Sequence, residues 1–226
     1  MNYPEDPLWS SIKINWIFYI TLFICLGIIN KFYGSGFLRS TVSIILFAIL
    51  GYFIHYLSHH VNFTQLYTSN NNYFTRNPVL NPVFTWICRV LDFHNDIHHN
   101  GKINKSRKNI IYEFLNNFFT QGLSVVLIIL IGRSLDLKFA IFWGLFYASF
   151  HNINYWIKPC ESHMNHHANK HVNYGLDTID ILMGTKDESE IENYNSGSIN
   201  IIIITLVFIC FHMLLFRNMQ SNTLLR

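Results

Sequence analysis

The sequence predicts an all-α integral membrane protein: four transmembrane helices in two hairpins, or five if the last apolar run also crosses, carrying a histidine-rich cytosolic cap. Three observations predict it. Half of the 226 residues are hydrophobic, among them 20 Phe, 12 Tyr and 5 Trp, and the mean hydropathy of +0.22 is high for a soluble domain. The apolar residues gather into long runs parted by polar segments. Nine of the 12 histidines fall in three tight clusters within or beside those polar segments.

Taken in order, the N-terminal residues carry Glu5 and Asp6 and lack both a basic stretch and a small-residue cleavage site, so the first apolar run is expected to stay as an anchor. That run, 14–30, is closed by Lys13 and Lys31 and is near the lower length limit for a span. Gly34 and Gly36 mark a turn, and 41–57 follows, apolar all round until His55. From His59 to Glu113 the chain is polar, with Pro78 and Pro82 as punctuation and a short apolar stretch, 83–91, suited to the membrane surface. A second hairpin is expected from 118–132 and 139–157, joined by a connection holding Arg133 and Asp136. After polar residues 158–198 comes 199–216, interrupted by His212, which either spans or lies in the interface.

Residues 1–226 thus read as a single membrane domain, with 55–113 and 158–198 forming the cap. Hairpin topology puts those two segments and the N-terminus on one side. Ten of the 16 Lys and Arg lie there, which makes that side cytosolic by the positive-inside rule. A net charge of +3, with one short basic cluster at Lys102, Lys105, Arg107 and Lys108, excludes an extended phosphate-tracking surface, so no nucleic-acid partner is expected. The four cysteines form no C-x-x-C pair and suggest no disulfide framework.

The histidine clusters are HYLSHH (His55, His59, His60), HNDIHH (His94, His98, His99) and HMNHH (His163, His166, His167). Random placement of 12 histidines predicts roughly 0.6 adjacent pairs, and there are three. Each pair also has a histidine three or four residues upstream, a spacing that lets a helix present imidazoles to a common point. Neutral imidazole binds iron, zinc and other first-row ions, and nine nitrogens are too many for one ion, so two ions are the economical reading. His151, inside an apolar run, is a further ligand candidate. So is His171, four residues after His167, whereas His212 stands alone and is assigned no metal role. Asp92, Asp96, Glu161, Asp177 and Asp180 are candidates for orienting imidazoles, with a solvated surface role as the alternative for each. A single cluster could equally be a pH-titrating patch at the interface.

From His151 to Lys186 the chain resembles the C-terminal signature of the fatty acid hydroxylase and sterol desaturase superfamily. Matching positions are His151, Pro159, His163, His166, His167, Asn173, Tyr174, Gly175, Asp180, Gly184 and Thr185, while HYLSHH and HNDIHH resemble the first and second boxes. The sequence departs from the pattern in placing three residues between His94 and His98, in Ile179 before the last aspartate, and in the apolar run that follows.

The resemblance implies a membrane oxygenase with two iron ions, zinc being able to replace them on purification, and O2 as co-substrate. Its ligands would be drawn from His55, His59, His60, His94, His98, His99, His151, His163, His166, His167 and His171, with no catalytic residue beyond them. A membrane lipid would be the substrate, and the electron donor a protein such as cytochrome b5 or a reductase. The endoplasmic reticulum membrane is the expected location in a eukaryotic host. Hydroxylation of a fatty acyl, sphingolipid or sterol C–H bond is the first expectation, with desaturation or sterol methyl oxidation on the same centre as alternatives. A non-enzymatic membrane metal-binding protein is the competing class.

Overall fold

A computed structural model of the chain describes residues 6–34, 36–70, 72–94, 99, 107–118, 137–157 and 159–223. Among them there is helix and no strand, as expected. The helices are α1 (Pro7–Ile14), α2 (Trp16–Tyr33), α3 (Phe37–His60), α4 (Phe63–Ser69), α5 (Tyr73–Arg76), α6 (Leu80–Phe93), α7 (Arg107–Asn117), α8 (Leu137–Ser149), α9 (Glu161–Ala168), α10 (Asp177–Met183) and α11 (Gly197–Thr223).

Three segments are long and apolar enough to cross a membrane: α2 with 18 residues, α3 with 24, and Tyr194–Leu214 with 21. The last of these answers the open question over 199–216 in favour of a helix of spanning length. The first two reach beyond the expected 14–30 and 41–57. Asn15 breaks off α1 before α2 begins, and α3 carries on through its polar last turn to His60, because nothing in YLSHH stops a helix. Between α2 and α3 the chain turns at Gly34, whose φ of 68° is the left-handed conformation that closes a helix without Cβ strain.

The expected span 139–157 is not one regular helix. It is α8, then a π turn at Phe150–Asn154, then one turn of helix at Tyr155–Ile157. Its proposed hairpin partner, 118–132, lies almost wholly outside the described residues.

The packing explains the apolar patterning. α11 lies against α2 and α8, and α3 lies against α2 and α8. Between them Phe18, Leu26 and Ile29 of α2, Phe47 of α3, Phe139 and Phe142 of α8, and Ile201 of α11 are fully buried. On the outward faces Ile20, Phe23 and Ile24 of α2, Leu38, Val42 and Ile45 of α3, and Ile203, Leu206 and Val207 of α11 stay exposed. A helix apolar on both faces suits lipid outside and protein inside. α6 is different: Trp86, Val83 and Ile87 are exposed while Asp92 is buried, the one-sided pattern of a helix lying along a surface.

One polar clasp ties the start of α2 to the start of α11. The Asn15 side chain is fully buried; its amide donates to the carbonyls of Ser11 at 3.1 Å and Glu192 at 2.9 Å, and its oxygen accepts from Tyr194 N at 2.6 Å. Asn195 replies, accepting from Phe18 N at 3.1 Å and donating to the Ile14 carbonyl at 2.9 Å. Phe18 N, Tyr194 N and the Ile14 carbonyl sit at helix ends, where the ladder leaves such groups without an internal partner.

Candidate metal centre

The end of α3, the end of α6 and the short α9 meet at one place. There His55, His59, His94, His99 and His166 each offer a ring nitrogen, and these five atoms lie within 4.8 Å of one another. His55, His94 and His166 are buried, and the other two are partly so. Nitrogens bound to one ion at about 2.0–2.1 Å sit no more than about 4.2 Å apart, so the nest needs only slight closure to grip an ion.

Helix geometry selects which members of the first and third clusters enter. Residues four apart share a face, and the next residue is turned roughly 100° away. His55 and His59 therefore point into the nest together. His60 turns out, is exposed, donates from Nδ1 to the Tyr56 carbonyl at 2.8 Å and stacks on the Tyr56 ring. His171, also exposed, lies with its ring 5.3 Å from that of His60. The structure thus sets His60 and His171 apart from the five, although the sequence counts both as ligand candidates. In α9 the same rule divides the box: His166 joins the nest, while His163 and His167 pair on another side with their Nε2 atoms 3.1 Å apart.

Two rings of the nest are preset by backbone. His55 Nδ1 donates to the Tyr174 carbonyl at 2.5 Å, and His166 Nδ1 donates to the Val172 carbonyl at 2.6 Å. With the proton on Nδ1, each neutral ring turns the lone pair of Nε2 into the nest, the tautomer that a metal ligand requires. His55 Nε2 is buried and has no hydrogen-bond partner among the described residues. A basic nitrogen so placed is costly unless something else fills its coordination, so this nest fits a metal ion.

The carbonyls are held by a tight loop. Asp180 accepts from Tyr174 N and Gly175 N, both at 2.8 Å, and from the Thr185 hydroxyl at 2.7 Å. Asn173 takes a φ of 56°, which swings the chain back over α9, and its side chain donates to the Ser162 carbonyl at 3.0 Å. Gly184 ends α10 in the left-handed region so that Thr185 and Lys186 can return their N–H groups to the Asp180 carbonyl. Burial pushes the Asp180 carboxyl up and its hydrogen bonds pull it down.

The carboxylates proposed to orient imidazoles have other work. Asp92 accepts from Phe63 N at 2.8 Å and Thr64 N at 2.7 Å, which fixes the first turn of α4 after the box. Asp180 acts one step back, through the Tyr174 carbonyl. Asp177 accepts from Glu192 N at 2.5 Å, and Glu161 accepts from Glu190 N at 3.5 Å. Asp96 and His98 lie outside the described residues.

His151, His163 and His167 form a second group beside the first. The rings of His151 and His163 are 5.0 Å apart, and His167 stacks on His99 at 4.5 Å. The π turn widens the backbone at His151 and buries its ring, a distortion often found at functional positions. Its surroundings come from side chains: the amide of Asn117 meets Nδ1 at 3.1 Å, and Glu113 Oε1 lies 3.8 Å away. Tyr155 stacks on His163 with centroids 4.0 Å apart and donates its hydroxyl to Glu192 at 3.0 Å. Burial, with the Asp177 charge nearby, pushes the Glu192 carboxyl up to about 8.

Sequence reasoning missed Asn117, Glu113, Tyr155 and Glu192, none of which lies in a histidine box. It also missed that carbonyls, rather than carboxylates, hold the rings of the nest. Compared with family models, with curated proteins and with solved structures, the chain matches none of them.

Proposed function

We propose that this chain is a membrane-bound, O2-dependent lipid oxidoreductase, most directly a hydroxylase, working at a histidine-held pair of iron ions. One observation carries the reading: five imidazoles from three distant segments converge where apolar helices of spanning length end. The two-ion arrangement is supported by the division of α9, in which His166 serves the five-membered nest while His163 pairs with His167 and faces His151.

Iron bound there would supply the O2 chemistry that an unactivated C–H bond needs. In balance, O2 takes two electrons from the C–H bond and two from an external donor, with two protons, and leaves as the new hydroxyl and one water. The chain's own residues do the rest. The Tyr174 and Val172 carbonyls fix the two Nε2 lone pairs, the Asp180 loop keeps those carbonyls in place, and the aromatic floor of α8 keeps water from the acyl side. A site at the helix ends lets a lipid arrive from the bilayer and electrons from water.

The five-histidine nest alone would also serve a metal-binding membrane protein that performs no reaction. Elemental analysis of protein purified in mild detergent separates these readings when joined to oxygen uptake. About two iron or zinc per chain is expected, falling when His55, His59 and His166 are changed to Ala, and O2 consumption should require both reductant and lipid. Metal that ignores the substitutions would remove the site. Metal that follows them, without lipid-dependent O2 uptake, would leave the non-enzymatic reading.

A further inference from the structure

Outside both histidine groups, His60 at the end of α3 and His171 in the loop after α9 bring their rings to 5.3 Å from each other, and both are exposed. An exposed histidine ordinarily keeps its rotamer freedom, but His60 does not. Its Nδ1 donates to the Tyr56 carbonyl at 2.8 Å, and its ring stacks on that of Tyr56 with centroids 4.1 Å apart and planes within 19°. A carbonyl can only accept, so the proton is on Nδ1 and the lone pair of Nε2 is left to coordinate.

The loop that carries His171 is pinned on both sides. His171 N donates to Asn169 Oδ1 at 3.1 Å, and the carbonyl of the next residue, Val172, accepts from His166 Nδ1 at 2.6 Å. Two rings that are already placed lose less freedom on closing around a ligand than two free ones.

Their separation suits an ion between them. An imidazole nitrogen binds a first-row ion at about 2.0–2.1 Å, which puts the ring centre about 3.2 Å from the ion and two rings at a tetrahedral angle about 5.2 Å apart. His60 and His171 stand at that spacing, and His55 and His59 of the nest stand at 5.0 Å. One ion cannot serve both places. His60 follows His59 in a helix and is turned roughly 100° from it, and the Tyr174 ring lies 6.2 Å from the one and 5.9 Å from the other.

We propose that His60 and His171 hold an outer, exchangeable divalent first-row ion, such as zinc, with water completing its coordination. The inference goes beyond the lipid-oxidation reading and stands whether or not the inner centre performs that reaction. With two protein nitrogens and an exposed position, this ion is the first to leave on washing, whereas the nest offers five nitrogens in a largely buried setting. Copper(II) should bind the outer pair more tightly than zinc, following the general order for nitrogen ligands.

Equilibrium dialysis tests this. Tag-free protein in mild detergent is loaded with metal, washed briefly with a weak chelator, and titrated with Zn2+ alone. About one further zinc per chain is expected beyond the metal that survives the wash. His60→Ala and His171→Ala should each weaken that uptake at least about tenfold, with the retained metal unchanged. Copper(II) in place of the zinc should show coupling to two ring nitrogens by electron paramagnetic resonance, and to one in either variant. His171 is an exposed loop residue, so its variant reads the site even where His60→Ala disturbs α3.

No further ion, or uptake that ignores His171→Ala, would overturn the site and leave an edge-to-face contact between two rings. Loss of the retained metal in His60→Ala with the uptake intact would return His60 to the nest. Zinc uptake that depends on His171 in a chain showing no lipid-dependent O2 consumption sinks the oxidation reading and leaves the outer site standing.

Discussion

The two histidine groups lie side by side yet are held by different means. In the first, His55 and His166 lean on backbone carbonyls that a buried loop makes rigid. In the second, His151 leans on the side chains of Asn117 and Glu113, and His163 on the Tyr155 ring. A carbonyl can only accept, so it dictates the tautomer. An amide or an aromatic face constrains the ring's position while leaving more freedom in its protonation and tilt. The first group thus has the fixed geometry that could hold an ion, and the second has more room to adjust.

Breaking the first group should produce the largest effect. His166→Ala removes one ligand of five and the ring next to α9's other pair, so metal content should fall by at least half and lipid oxidation should drop below detection, with membrane insertion unchanged. Elemental analysis beside membrane fractionation checks both. Asp180→Asn comes next. It weakens the acceptor for Tyr174 N, Gly175 N and the Thr185 hydroxyl, so the His55 carbonyl loosens. A chelator competition should show metal affinity reduced about 10–100-fold, the range for outer partners of a metal ligand. Equal losses in Asp180→Asn and Asn117→Leu would erase the contrast between the groups.

Asn117→Leu is expected to do less, about a threefold to tenfold loss of activity with the metal retained, since it touches only the adjustable group. The smallest effect concerns pH. Glu192 keeps its proton in the folded chain up to about pH 8, against an ordinary carboxyl value of 4.5. Between those values the folded state binds one proton more than the unfolded, so stability falls as pH rises through that window and levels off above it. Asp177, raised to about 6 by burial, adds to the same slope at its lower end. Tyr155, Cys160, Tyr194 and Lys186 face this pair. Thermal unfolding from pH 5 to pH 8 should show a falling midpoint, and Glu192→Gln should flatten it.

Much of this was legible in the sequence, for reasons that identify what was not. Long apolar runs announce helices such as α2 and α3 because hydrocarbon admits little else. The histidine boxes announce a ligand set, because helical spacing brings i and i+4 together; His55 with His59 and His163 with His167 follow that rule. The same arithmetic would have turned His60 away, but without a second element in view there is no saying which face is the site. His166 could be assigned to the nest only once α3 and α6 were seen against α9. The π turn at His151 leaves no compositional mark in the apolar run that holds it. The carbonyl supports were invisible for a related reason. Every residue has a carbonyl, and only the fold, through Asn173 and Asp180, selects those of Tyr174 and Val172.

The clasp at Asn15 adds a matter of timing. A ribosome delivers residues 14–18 long before 192–195, so for most of synthesis the Asn15 amide has the Ser11 carbonyl alone from this clasp, and Phe18 N and the Ile14 carbonyl have water or lipid headgroups in place of Asn195. The first helix can be inserted early, but its upper end is secured only when the last helix arrives and brings Glu192, Tyr194 and Asn195. Assembly of the bundle is therefore a closing event that comes late, and a nascent chain halted before that point would hold most of its histidines while its first and last helices were still unjoined.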